Sequence, residues 1–130
     1  MIKRIAIGAL IAVAAVLPAS AHHSVTAYFD LKNTTTQTGV IDEFRFVNPH
    51  SILRFYVKGA DGKPVLWRAE SSPVSWLVRN GWKPSMFKKG DTITVFGNTA
   101  IDPRTNMIRL LTVKFPDGRV LSANTGEKIG

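Results

Sequence analysis

Cysteine is absent from all 130 residues. Disulfides, thiolate metal cages and cysteine nucleophiles are therefore excluded, and stability must come from packing and backbone pairing. Acidic groups are few, nine against seventeen Lys and Arg, which gives a formal net charge of +8. Histidine is scarcer still, with only His22, His23 and His50. The usual catalytic patterns are missing too. Asp42 and Glu43 are neighbours on opposite faces of an expected strand, so they cannot act as a facing carboxylate pair. There is no serine elbow and no phosphate-binding glycine loop, because Gly59, Gly62, Gly90 and Gly97 fit hairpins and bends. The expectation is a binding chain, not an enzyme.

What is present starts with a leader. Met1-Ile2-Lys3-Arg4 is basic, Ile5 to Val16 is apolar and uncharged, and Ala19-Ser20-Ala21 is a small-residue cleavage site. These features together describe a secretory signal peptide over residues 1–21. The apolar run is too short to span a bilayer comfortably, so no membrane span is expected once the leader is removed. Export points to the bacterial periplasm. Cleavage after Ala21 leaves 109 residues, enough for one small domain. Lys3 and Arg4 leave with the leader, so the mature charge is +6. The remaining cations are scattered, with only Lys88-Lys89 adjacent. A solvated basic surface is the expectation, and nucleic acid is not the expected partner.

The mature chain reads as mostly β. Residues 22–33 form an expected N-terminal arm, 34–121 a folded domain and 122–130 a loose tail. The first strand is expected over Thr34 to Val47, with Val40, Asp42, Phe44 and Phe46 on one face and Ile41, Glu43, Arg45 and Val47 on the other. Gly39 within it suggests a bulge or bend. Asn48-Pro49 then turns the chain. Strands follow over Ile52 to Lys58 and Pro64 to Glu70, joined by the hairpin loop Gly59-Ala60-Asp61-Gly62-Lys63. Ser72-Pro73 opens a short helix with Ser72 as its expected N-cap, and Gly81 closes it. Two more strands, Asp91 to Gly97 and Met107 to Phe115, and a short one at Arg119 to Leu121 complete the chain. Three strands, a helix and two strands predict a small all-β, OB-like five-stranded barrel.

Several phrases carry a resemblance over nearly the whole mature chain: Ala21-His22-His23-Ser24, Asn48-Pro49-His50-Ser51, Trp67 and Glu70 with Ser72-Pro73, Arg79 with Gly81-Trp82, Lys89-Gly90-Asp91, and Asp117-Gly118-Arg119. The set resembles a family of small exported bacterial proteins catalogued as domain of unknown function 6152. That resemblance implies export and a compact β-rich domain, and it brings no catalytic residues. Phe46-Val47 before Asn48 departs from the aromatic-polar pair associated with the family.

The chemistry rests on the three histidines. A mature N-terminal His22 chelates through its α-amine and ring, and His50 could add a second imidazole, with His23 assisting. Such nitrogen sets suit Cu(II), while imidazoles also serve zinc and nickel. Cleavage after Ser20 would instead put His23 third, which again favours square-planar copper or nickel. Glu70 is the expected partner that orients an imidazole from behind. A plainer reading makes His22 and His23 solubilising residues, and His50 a turn residue bonded to a nearby carbonyl. The competing functional expectation needs no metal. An envelope protein or small molecule would dock on the outer face near Ile52, Tyr56 and Phe96, with Trp82 as a lid over the barrel end.

Overall fold

The structure is a computed structural model and describes residues 25–123. The expected leader, His22, His23 and the tail from 124 lie outside the described residues. Six strands form one sheet: β1 (Phe29–Arg45), β2 (Ile52–Lys58), β3 (Pro64–Glu70), β4 (Thr92–Ala100), β5 (Met107–Lys114) and β6 (Val120–Ser122). One helix, α1 (Val74–Arg79), separates β3 from β4. The strand order is β3-β2-β1-β4-β5-β6, and β3 also pairs with β5, in parallel. Strands β1 to β5 therefore close a ring, with β6 added beside β5. The fold is the mostly-β, barrel-like arrangement expected from the element order, with its helix between the third and fourth strands. Closure removes the exposed edges that a cysteine-free sheet would otherwise have to protect.

Strand β1 begins at Phe29, five residues before the expected start, because Phe29 and Asp30 pair with Ala100 and Thr99 of β4. The segment expected as a free arm is thus partly inside the sheet. Further along, the register on β2 shifts between Ile41 and Glu43. The bulge falls at Asp42, not at Gly39, and it exchanges the two faces of the strand. Before it Ile41 is buried and Val40 exposed; after it Phe44 and Phe46 are half-buried while Arg45 and Val47 are exposed. A uniform alternation cannot describe both halves. Inside the ring lie Leu53 and Phe55 of β2, Ala69 of β3, Ile93 and Val95 of β4 and Ile108 of β5, all nearly inaccessible. Leu53, Phe55, Ala69, Ile93 and Val95 are positions that the period-two patterning of β2, β3 and β4 assigns inward.

Helix α1 is capped differently from the expectation. Pro73 occupies the N-cap position without a side-chain bond. Ser72 faces away and donates its hydroxyl to the Ala123 carbonyl at 2.7 Å. The first helical amide, of Val74, donates instead to Asn48 Oδ1 at 3.0 Å. A residue 26 positions upstream thus supplies the cap. At the other end Gly81 takes φ +84°, Gly81 N–H donates to Val78 and Trp82 N–H to Leu77. That pair of bonds is a Schellman terminator, which needs a left-handed residue and so favours glycine. Replacing Asn48 by alanine is expected to cost about 1 kcal/mol of stability. Asn48→Asp retains the acceptor and should lose little. Chemical denaturation of the two variants checks this, and equal stabilities would remove Asn48 as the cap.

The turns use aspartate in one way. Asp61, Asp102 and Asp117 each accept the backbone N–H two residues on, at 2.9–3.0 Å. The Arg104 side chain, and after it the Arg104 amide, holds the Asp102 carboxyl below its ordinary value. For Asp117 the Arg119 amide acts first and its side chain second. These local bonds explain why acids are kept at turns in a chain that has few of them.

Candidate functional site

His50 stands in the connection from β1 to β2, where the hairpin pairing of β2 with β3 extends beyond the ladder. Ser51 N–H donates to Ser72 O at 3.2 Å and Ser71 N–H to Ser51 O at 2.8 Å. That continuation brings His50 beside the exit of β3. Its Nδ1 lies 3.2 Å from the Ser71 carbonyl oxygen. A carbonyl can only accept, so Nδ1 is the donor, and in the neutral ring the lone pair is then on Nε2. Glu70 Oε1 lies 4.0 Å from the same Nδ1, with side chains 47% and 25% exposed for His50 and Glu70. The ring is therefore held from behind while part of it faces solvent.

A pocket of about 170 Å³ opens beside this pair. His50, Glu70, Ser71, Ser72 and Pro73 line one side, and Phe29, Arg109, Leu110 and Leu111 belong to strands across from them. Val25 and Ala123, the first and last described residues, also line it. Leu111 reaches this position through a second bulge. Gly97 pairs with Leu110 and Phe96 with Thr112, so Leu111 is the extra residue between them. Leu110 and Leu111 are consequently both buried, but only Leu110 belongs to the main core cluster. Phe29 is likewise buried outside that cluster. Glu70 and Arg109 sit opposite one another on the parallel β3–β5 pair. Arg109 Nη1 donates to Asn98 Oδ1 at 3.3 Å.

One polar atom here lacks a partner. Among the described residues, Ser71 Oγ is the buried side-chain atom without a hydrogen bond, in a residue 6% exposed. An unsatisfied buried hydroxyl costs about 1–3 kcal/mol. The flanking serines have their bonds: Ser51 Oγ donates to Val47 O and Ser72 Oγ to Ala123 O.

The structure brings together two of the residues singled out from the sequence, His50 and Glu70. His22 and His23 lie outside the described residues, and no group of three His, Asp or Glu that could hold a metal occurs among the described ones. Tyr56 is 39% exposed on β2, and Phe96 is half-buried on β4. Their partners on β1 are Val40 and Thr36, four residues apart, a spacing of roughly 13 Å along a strand. They do not form one stacking platform. Trp82 is a correction. It is 1% exposed, packs parallel to Phe87 at 5.4 Å between centroids and donates Nε1–H to Ser122 O at 2.9 Å. The Schellman turn points it inward, so it fills the core and is no surface lid. Phe29, Ser71, Arg109 and Leu111 were not singled out, because their convergence depends on ring closure and a bulge.

No helix of the described residues is long and apolar enough to cross a membrane. A family model described as a family of unknown function, DUF6152, matches residues 9–108. No curated protein matches the chain.

Proposed function

The chain belongs to the DUF6152 family, whose function is unknown, and from its own residues we propose an exported, non-catalytic binding module that holds copper or a similar divalent transition metal. Export is supported by the basic start, the apolar run and the Ala-x-Ala junction. The observation that carries the metal is a shared location. Val25 lines the same pocket as His50. Val25 follows His22 by three positions, with His23 and Ser24 between them, and three residues of extended chain span at most roughly 10 Å. The α-amine and ring of a mature His22 are thus tethered within reach of the His50 ring. His23 assists in the same set.

The held ring supports this reading further. Metal-bound histidines commonly donate their second N–H to a carbonyl or carboxylate, which sets the tautomer and orientation. His50 does so toward Ser71 O, with Glu70 adjacent. A ligand set of amine and imidazole nitrogens suits tetragonal Cu(II).

The test uses mature protein with an authentic His22 terminus, titrated with Cu(II) and followed by calorimetry and electron paramagnetic resonance. One equivalent should bind with a nitrogen-rich spectrum. His50→Ala should weaken binding by well over tenfold, and Glu70→Gln by about tenfold. Binding should also weaken on acidification, because protons compete with the metal for its nitrogen ligands. Unchanged affinity in His50→Ala would sink the specific site. Acetylation of the mature His22 α-amine should be as damaging as His50→Ala, since it removes the amine from its chelate ring.

A second reading has one observation in its favour. Val40, Tyr56 and Leu66 stand in register across β1, β2 and β3, and all three are exposed. Such a row suits docking of an envelope protein or small molecule on the outer face without metal. Tyr56→Ser with Leu66→Ser should then abolish the docking and leave copper affinity unchanged.

A further inference from the structure

We infer that the pocket between the His50–Glu70 edge and β5 binds a small, neutral aromatic alcohol, one ring carrying one hydroxyl. Size sets the first limit. The pocket measures about 170 Å³, and an apolar cavity of about 150 Å³ accommodates benzene. A single ring fits within it.

The walls set the second limit. Phe29, Leu110 and Leu111 offer apolar surface to a ring, and Leu111 is placed there by the β5 bulge, apart from the main core. An aromatic face against Phe29 gains more than area alone through offset or edge contact. Ser71 sets the third. Its hydroxyl is the buried polar side-chain atom left unpaired among the described residues, and Ser71 lines the pocket. Rotation about its single Cα–Cβ bond moves that hydroxyl among three staggered positions. A phenolic hydroxyl both donates and accepts, as does serine's, so the two satisfy one another in either sense.

Charge sets the last limit. Glu70 and Arg109 stand opposite on paired strands and both line the pocket. Their charges oppose, so the rim favours neither an anion nor a cation. A neutral head group is the match.

The ring would sit in the same pocket that Val25 and His50 line, beside the metal proposed above, and the test is arranged to keep the two apart. Mature protein stripped of metal with a chelator is titrated with phenol while backbone amide resonances are followed, with benzene, benzoate and benzylamine as comparison probes. Phenol should shift the Phe29, Ser71 and Leu111 amides saturably and bind tighter than either charged probe. Ser71→Ala should weaken phenol about tenfold and leave benzene unchanged. Acetylation of the mature His22 α-amine, which destroys the proposed copper site and leaves the residues lining the pocket unchanged, should change phenol affinity by less than about threefold. Absence of saturable shifts would overturn the inference. So would a preference for benzoate or benzylamine, or an unchanged phenol affinity in Ser71→Ala. A folded Ser71→Ala amide spectrum ensures that loss of binding reports the hydroxyl.

Discussion

Trp82→Ala is expected to lower the unfolding free energy by about 4 kcal/mol, near the middle of the range for deleting a buried aromatic. The indole is 1% exposed and is surrounded by other rings. Phe87 lies parallel to it at 5.4 Å, and Phe44 is tilted at 5.9 Å. Phe44 in turn touches Phe87 at 4.2 Å, and Phe87 meets Phe115 edge-on at 5.3 Å. Removing this largest buried member leaves a hole that the others can fill only by tilting away from their neighbours. The Ser122 carbonyl also loses the Nε1–H that now satisfies it at 2.9 Å. Domains of this size have only about 5–15 kcal/mol in total, so the loss takes a large share. It corresponds to a melting temperature lower by about 15–30 °C. Trp82→Phe separates the two contributions. It keeps one ring in the stack but not the hydrogen bond, and should cost about half as much. Thermal and urea unfolding of the pair would decide the matter. An alanine variant within about 1 kcal/mol of the parent would mean that Trp82 is not the centre of the core.

The element order was legible because β2 and β3 alternate cleanly, β4 and β5 do so up to their bulge, and the turns carry Gly, Pro and Asp at the points where the chain reverses. Gly81 ended the helix as its left-handed geometry requires. The bulges were not legible. Asp42 and Leu111 each displace the alternation by one residue, and neither position has a composition that announces it. The consequence at Leu111 falls at the candidate site, since it adds apolar surface to the pocket apart from the main core. The helix cap was misassigned for a related reason. Ser72 has the right chemistry and spacing, but the fold offers it the Ala123 carbonyl and brings Asn48 to Val74 instead. Trp82 shows the same limit, because a residue after a helix terminator has no periodicity to reveal its direction. At the candidate site, His50 and Glu70 became neighbours through the hairpin register, in which Ile52 faces Glu70. Local pairing of that kind can be read from two adjacent strands. The pocket cannot, because Phe29, Ser71 and Leu111 meet only after β3 and β5 close the ring in parallel.

Gly97→Ala is expected to be nearly as damaging as loss of the tryptophan, although it adds a single methyl group. Alanine ordinarily helps a strand, and by restricting the unfolded chain it contributes about 0.4–1 kcal/mol where the native backbone tolerates it. Position 97 does not tolerate it. A Cβ there would run into the Arg109 carbonyl oxygen and the Ile108 side chain. The first obstacle is backbone in the paired strand β5, where Gly97 opposes Leu110 at the bulge. Relief therefore requires β4 and β5 to separate locally, which breaks ladder bonds or redistributes the bulge. Overpacking of this kind typically costs 1–3 kcal/mol, and contact with fixed backbone places the loss near the top, at about 3 kcal/mol. The steric cost thus exceeds the entropic gain several-fold, and the melting temperature should fall by about 10–20 °C. The substitution also has a signature that a general loss of stability lacks. Because the same bulge carries Leu111 into the pocket, amide resonances of Leu111 and Ala123, joined by the Ala123 N–H to Leu111 O bond of 2.8 Å, should move below the melting temperature. Those of Leu53 and Phe55 on β2 should stay in place. A Gly97→Ala protein that melts at or above the parent temperature would show that the β4–β5 bulge yields easily and does not hold the pocket wall in position.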